Sequence, residues 1–189
     1  MRYLLTRSQP VVSRILLIES GSRSILEDIV PGIRETWGDV IPIDLVTCFA
    51  GMPEGLNPDT TTVYRVADFA GPDGPRRLHR ELSANKYSVL GMVCAAEPIM
   101  TKWKWYLALR LPAKAFVVNE NCDYFWIDHA HAATIRNFVL YRMGLAGAGA
   151  VRTIARLLLF PFTLGFLILY ASVVHLRRAL RLRYATLPK

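Results

Sequence analysis

From Leu157 to Val174 the chain reads "LLLFPFTLGFLILYASVV", eighteen residues without a charge, and the basic stretch "HLRRALRLR" follows at once. As a helix this run measures about 27 Å, close to the hydrocarbon thickness of a bilayer. Core helices of globular domains seldom run this long without a polar face, so the run predicts a membrane segment. Arg136, Arg142, Arg152 and Arg156 precede it, and Arg177, Arg178, Arg181, Arg183 and Lys189 follow it. The positive-inside rule draws both ends toward the cytoplasm. Pro161 and Gly165 lie inside the run, which leaves two forms open, a spanning helix and a re-entrant hairpin broken at those residues.

The remaining length suits one domain. In a chain of 189 residues with a formal net charge of +8 and 52% hydrophobic residues, the combination fits a protein held at a membrane surface better than an ordinary soluble enzyme. Much of the basic charge flanks the apolar run rather than gathering on one accessible face, which argues against nucleic acid as the partner. Cys48, Cys94 and Cys122 are odd in number and far apart. They form no zinc-binding spacing and no disulfide framework, so no metal is expected and a reducing compartment is the simpler reading. Pro10 and Arg14 interrupt the opening residues, a break that a signal peptide would lack.

Ahead of the apolar run, strand-like and helix-like patterns alternate. "ILLIE" at 15–19 reads as a buried strand. Ser24 and Glu27 then make a capping-box pattern for a helix with apolar positions at Ile25, Leu26, Ile29, Val30 and Ile33. Further strands are expected in "VIPIDLVTCF", "VYRV", "YSVLGMVCA" and "KAFVV", with helices in "RRLHRELSAN" and "MTKWKWYLALRL". This alternation predicts a Rossmann-like α/β fold, a parallel sheet with helices on both faces. "NENCDYFWID" reads as loop, and helix resumes from about His129.

The turn "ESGSRSILED" at 19–28 places serines and Arg23 at a helix start, where backbone N–H groups, the helix dipole and a fixed cation act on one anion. Ser22, Arg23 and Ser24 are the candidate ligands, with a plain capping turn as the alternative. Glu120, Asp123, Asp128, His129 and His131 gather within "NENCDYFWIDHAH". They invite a metal-site or an acid–base reading, against a polar loop over packed aromatics. "KWKWYLALR" mixes cations with Trp and Tyr. It suits a bilayer interface or an amphipathic helix with aromatics in the core, and the arginines of "RRLHR" suit anionic lipid or a solvated helix face.

The segments "RILLIESGSRSILEDIVPGIRETWGDVIPIDLVT" and "LSANKYSVLGMVCAAEPIMTKWKWYLALRLPAKAFVV" resemble the acceptor-side lobe of the family-nine glycosyltransferases, which include the lipopolysaccharide heptosyltransferases. The likeness covers roughly residues 14 to 128, and the spacing from Gly21 to Pro31 follows it. It implies a Rossmann-like lobe in which Lys102 meets acceptor phosphate. The family's catalytic aspartate follows a glycine in the first turn, and the matching positions here are Ser24 and Ile25. Glu27 and Asp28, one turn on, and the Asp128 and His129 loop are then the candidate acid–base groups. The family's nucleotide-sugar lobe would come next, where this chain has its apolar run.

The expectation is therefore an N-terminal extension (1–13), a Rossmann-like α/β domain (14–150) and a membrane segment with a basic tail (151–189). It is a membrane-anchored, glycosyltransferase-like protein of bacterial envelope glycan assembly, on the cytoplasmic side of the inner membrane. It binds a phosphorylated or lipid-linked saccharide, needs no cofactor and works with a donor-binding partner. The competing expectation is a non-catalytic membrane adaptor.

Overall fold

A computed structural model of the chain describes residues 11–95, 97, 99–146 and 150–185, with side chains to residue 178. Of the expected N-terminal extension only residues 11–13 are described, and the last four residues of the basic tail lie outside the described residues. The chain divides into two compact units, Met1–Arg136 and Asn137–Lys189.

The first unit runs β1 (Ile15–Glu19), α1 (Arg23–Trp37), β2 (Ile43–Thr47), β3 (Val63–Arg65), a 3₁₀ turn (Val66–Phe69), α2 (Gly74–Ala84), β4 (Val89–Val93), α3 (Thr101–Arg110), β5 (Lys114–Val118) and β6 (Tyr124–Trp126). Helix α4 (Ala132–Arg142) crosses from this unit into the second, which continues with α5 (Ala150–Ala185). Among the described residues the strands form one sheet in the order β3-β2-β1-β4-β5-β6. Every pairing is parallel except β5 with β6. This is a Rossmann-like α/β fold, and the expected strands and helices stand where the periodicity put them.

Every residue of β1, β2, β4 and β5 is buried, as a parallel sheet covered on both faces requires. Ile15, Leu17, Ile43, Leu45, Val89 and Val93 turn to one face, where α1 packs Ile25, Leu26, Val30 and Ile33 upon them. Strand alternation sends Leu16, Ile18, Val46 and Met92 to the other face. Right-handed crossovers carry α2 and α3 there, with Leu78, Leu82 and Leu107 fully buried. Gly91 in β4 makes room for the Phe116 ring, since a Cβ at this position would run into Phe116 and Leu17. Trp37 and Trp126 pack against that ring, with centroids 6.2 Å and 5.6 Å away.

At the amino-terminal edge of the sheet the fully buried Asp44 accepts from Arg14 Nε (2.8 Å), the Tyr87 hydroxyl (2.6 Å) and the Thr62 backbone N–H (2.9 Å). Burial, reinforced by Asp44, pushes the Tyr87 hydroxyl far above its usual pKa, so it remains a neutral donor. With these donors the buried carboxylate is satisfied rather than reactive.

Two expectations need correction. "NENCDYFWID" is not all loop: β6 lies within it and closes the sheet edge antiparallel to β5. Asn119 makes the reversal possible, its Oδ1 accepting from the Asn121 and Asp123 backbone N–H groups at 2.9 Å each, and Trp126 drops into the core. In the second unit α5 is one helix of 36 residues that runs through Pro161 and Gly165, so the hairpin form is not adopted. Pro161 forgoes one i→i−4 bond without ending the helix. The Thr163 and Ser172 hydroxyls donate back to the Leu159 and Ile168 carbonyls at 3.0 Å and 2.8 Å, which leaves neither side chain in need of an outside partner. The 29 residues Ala150–Arg178 are long and apolar enough to cross a membrane. Its apolar side chains stand exposed, Phe162 at 75%.

Candidate functional site

In an open parallel sheet the crevice for a ligand lies beyond the carboxyl ends of the strands, where neighbouring strands send their chains to opposite faces. Here that point falls between β1 and β4. The chain leaves β1 for α1 on one face and leaves β4 for α3 on the other. The β1–α1 turn comes so close to β4 that Gly21 has no room for a side chain, because a Cβ would press on Val93 and lie 3.3 Å from Ala95 Cβ. Its neighbour Ser20, also fully buried, donates its hydroxyl to the Val93 carbonyl at 2.6 Å.

Glu19, the last residue of β1, is fully buried. It accepts from Arg23 Nε at 2.7 Å and Nη2 at 3.4 Å, and from the Thr47 hydroxyl at the end of β2. Thr47 in turn accepts from the Phe49 backbone N–H at 2.9 Å, and the Arg23 guanidinium carbon stands 5.7 Å from the centre of the Phe49 ring. The hydrogen bond to Glu19 raises the already high Arg23 pKa, so the residue is a permanent cation. Among the described residues no hydrogen bond holds Arg23 Nη1, which lies toward Gly51. A cleft of about 430 Å³ opens beside it, lined by Ser22, Arg23, Phe49, Ala50, Glu97 and Ile99.

The expected capping box does not form. Helix α1 begins at Arg23, two residues earlier than the pattern implied, and its N-cap Ser22 makes no side-chain capping bond. The Ser22 and Ser24 hydroxyls are 3.0 Å apart, and Glu27 accepts instead from the Glu54 backbone N–H at 3.1 Å. The Arg23 fork reaching back four residues to Glu19 accounts for the early start, drawing Arg23 into the first turn.

The structure brings Ser22, Arg23 and Ser24 together and scatters the other candidates. Lys102 lies exposed on α3, beside a separate groove of about 450 Å³ lined in part by Phe69, Trp103 and Tyr106. The cation nearer the switch point is Lys104, 5% exposed, whose ammonium donates to the Val93 carbonyl at 3.0 Å. Among the described residues no carboxylate pairs with it. Lys104 was detectable in the sequence, since 104, 107, 108 and 111 form one helical stripe and the other three are Leu107, Ala108 and Leu111, all buried. Glu19 and Thr47 carried no such signal.

Asp28 accepts from the Cys122 thiol at 3.7 Å in a groove of about 250 Å³ along α1. Burial, helped by Asp28, pushes the Cys122 thiol up, and burial does the same to Cys48 near Glu19, so neither is a ready thiolate. The cluster in "NENCDYFWIDHAH" is divided by β6. Glu120 and Asp123 stay at the carboxyl edge, while Asp128, His129 and His131 follow β6 to the opposite edge. There Asp128 accepts from buried Lys114 at 3.1 Å and from His131 Nδ1 at 2.7 Å. Burial works to raise the Asp128 carboxyl, but the hydrogen bonds from His131 and Lys114 together hold it at about 2. His129 is exposed beside this pair. Ile25, at the position of the resembled family's aspartate, is a core residue, 6% exposed.

Strand order and switch-point cleft together define a Rossmann-like α/β protein, joined in the same chain to a helix of membrane-crossing length. No family model, no curated protein and no solved structure matches the chain.

Proposed function

We propose that the chain is a membrane-anchored, glycosyltransferase-like protein of bacterial envelope glycan assembly, which holds the phosphate of a phosphorylated or lipid-linked saccharide at the carboxyl edge of its sheet. In this reading α5 spans the inner membrane and the α/β unit faces the cytoplasm. The observation that carries it is the charge at the switch point. Glu19 neutralises Arg23 through a close ion pair, whereas Lys104 lies buried without a carboxylate among the described residues. A buried ammonium is costly unless an anion meets it, and the N-terminus of α1 lies at the same edge. The cleft at this edge is lined by Ser22 and Arg23 at the start of α1 and by Glu97.

Transfer by this unit alone is not supported. A general base has to reach the acceptor hydroxyl within hydrogen-bond distance. Ile25 is locked in the core, Glu27 holds the 54 loop and Asp28 holds Cys122. A donor-binding partner therefore belongs to the proposal. The second reading, a non-catalytic adaptor, draws on the same ion pair, which occupies Arg23 without any ligand.

The test is binding of a hexose 1-phosphate and of the free hexose to the purified full chain in detergent, by calorimetry. The phosphate ester is expected to bind at least about tenfold more tightly, the worth of one charge-assisted hydrogen bond, and Lys104→Met to remove that preference. Equal affinities, or none, would leave the adaptor as the better reading. No sugar transfer is expected from the isolated chain with any nucleotide-sugar, and detectable turnover would overturn the need for a partner.

A further inference from the structure

The exposed cationic and aromatic residues of α2 and α3, unlike buried Lys104, are not used by the switch-point cleft, yet they share one surface. On α3 the residues Lys104, Leu107, Ala108 and Leu111 face the core, which turns Lys102, Trp105 and Leu109 outward at i, i+3 and i+7. Trp105 is 42% exposed and Leu109 48%. Helix α2 lies alongside, its His79 ring edge-on to Tyr106 at 6.3 Å and its His79 Nε2 3.4 Å from the Arg110 carbonyl. Arg76, Arg77 and Arg80 are exposed on α2, as is Arg110 on α3, whose guanidinium carbon stands 5.6 Å from the centre of the Tyr106 ring.

The opposing charges are Asp73, which pairs with Arg76 at 3.4 Å, Asp68 on the 3₁₀ turn and Glu81 on α2. Helix α3 itself carries no carboxylate. The surface is therefore net positive, with an indole and a leucine projecting from its α3 side.

We propose that the outer face made by α2 and α3 docks on an anionic lipid bilayer. The chemistry selects this occupant over a small anion, because the cations are exposed and spread along two helices rather than converging on one point. A bilayer meets them with many phosphates and also takes Trp105 and Leu109 into its interfacial layer, where amphipathic aromatic rings partition. The inference rests on the reading of α5 as a membrane anchor, which keeps the lipid surface at high effective concentration for any face able to use it.

Hydrogen exchange of the full chain in lipid nanodiscs tests this, comparing neutral phosphatidylcholine discs with discs containing phosphatidylglycerol. Amides of α3 and of the exposed side of α2 are expected to exchange about fivefold more slowly in the anionic discs, the effect of roughly one interfacial cation. Helix α1, on the opposite face of the sheet, serves as the internal control. The difference should vanish in high salt and in the Arg80→Glu, Lys102→Glu double variant, whose core strands should exchange as in the parent.

A chain that enters both kinds of disc and exchanges identically in α3 overturns the docking face alone. A chain that enters neither overturns the anchor and the face with it. Protection of α3 by a single-stranded oligonucleotide in detergent, with none from anionic lipid, would assign the face to nucleic acid and overturn the proposal.

Discussion

Replacing Arg23 by methionine keeps most of the side-chain stem and removes the guanidinium, leaving Glu19 with Thr47 as its described donor. Glu19 is fully buried and Arg23 is 31% exposed. Breaking a buried ion pair by removing one partner costs roughly 3–5 kcal/mol, and the partial exposure of Arg23 favours the low end, about 3 kcal/mol. The double variant Glu19→Gln, Arg23→Met removes both charges while the new amide oxygen can still accept from Thr47, so its loss should be near 1 kcal/mol. Adding Glu19→Gln to Arg23→Met should therefore recover about 2 kcal/mol, where independent sites would add their losses. Urea unfolding of the full chain in detergent micelles gives the measurement. Trp126 in the core and Trp37 packed against it report by fluorescence. With a urea slope of about 2 kcal/mol per molar, the single variant should unfold at about 1.5 M less urea than the parent and the double variant at about 0.5 M less. A single variant with the parent's midpoint, or a double variant no more stable than the single, would refute the account of Glu19 as a buried charge held by Arg23. The same result governs the choice of ligand test. Arg23→Met confounds binding with stability, whereas Lys104→Met removes the cation of the proposed site and leaves the Glu19 pair in place.

Two further outcomes follow from the opposite edge of the sheet and from α5. The Asp128 carboxyl is held at about 2 against a reference of 3.8, so its contribution of about 2 kcal/mol is fully present above about pH 4 and is lost as pH falls toward 2. Asp128→Asn should be less stable at neutral pH, because the buried ion pair with Lys114 is lost, and should show a flatter decline between pH 4 and 2.5. Parallel acid limbs for parent and variant would count against it. Deleting residues 151–189 should move the chain from the membrane to the soluble fraction. Sedimentation with membranes that survives a carbonate wash would show that another segment anchors it.

Much of the fold was legible because the signals are local. Continuous apolar runs of four or five residues produced β1, β4 and β5, the 3.6-residue pattern produced α1, and the charge-free stretch produced α5. Strand β6 was missed because its residues, Tyr124 to Trp126, lie among Asn and Asp and carry no pattern of their own. They become a strand only when the edge of β5 offers backbone partners. The capping pattern misled for a related reason, since Ser24 and Glu27 satisfied the local rule while Arg23 answered to a carboxylate in the preceding strand.

The composition and periodicity of the chain alone determined an alternating α/β unit, a helix of membrane-crossing length and a turn into a helix within residues 19–28, for these depend on neighbours within a few positions. Only the tertiary structure decided which charges meet. It set Glu19 against Arg23 and Thr47, buried Lys104 against the Val93 carbonyl while leaving Lys102 exposed, and sent Asp128 to the far edge with Lys114 and His131. Those pairings join residues up to 28 positions apart, as with Glu19 and Thr47. Strand order and register set them, and burial supplies the energy, because a charge removed from water must find its partner wherever the sheet has placed one.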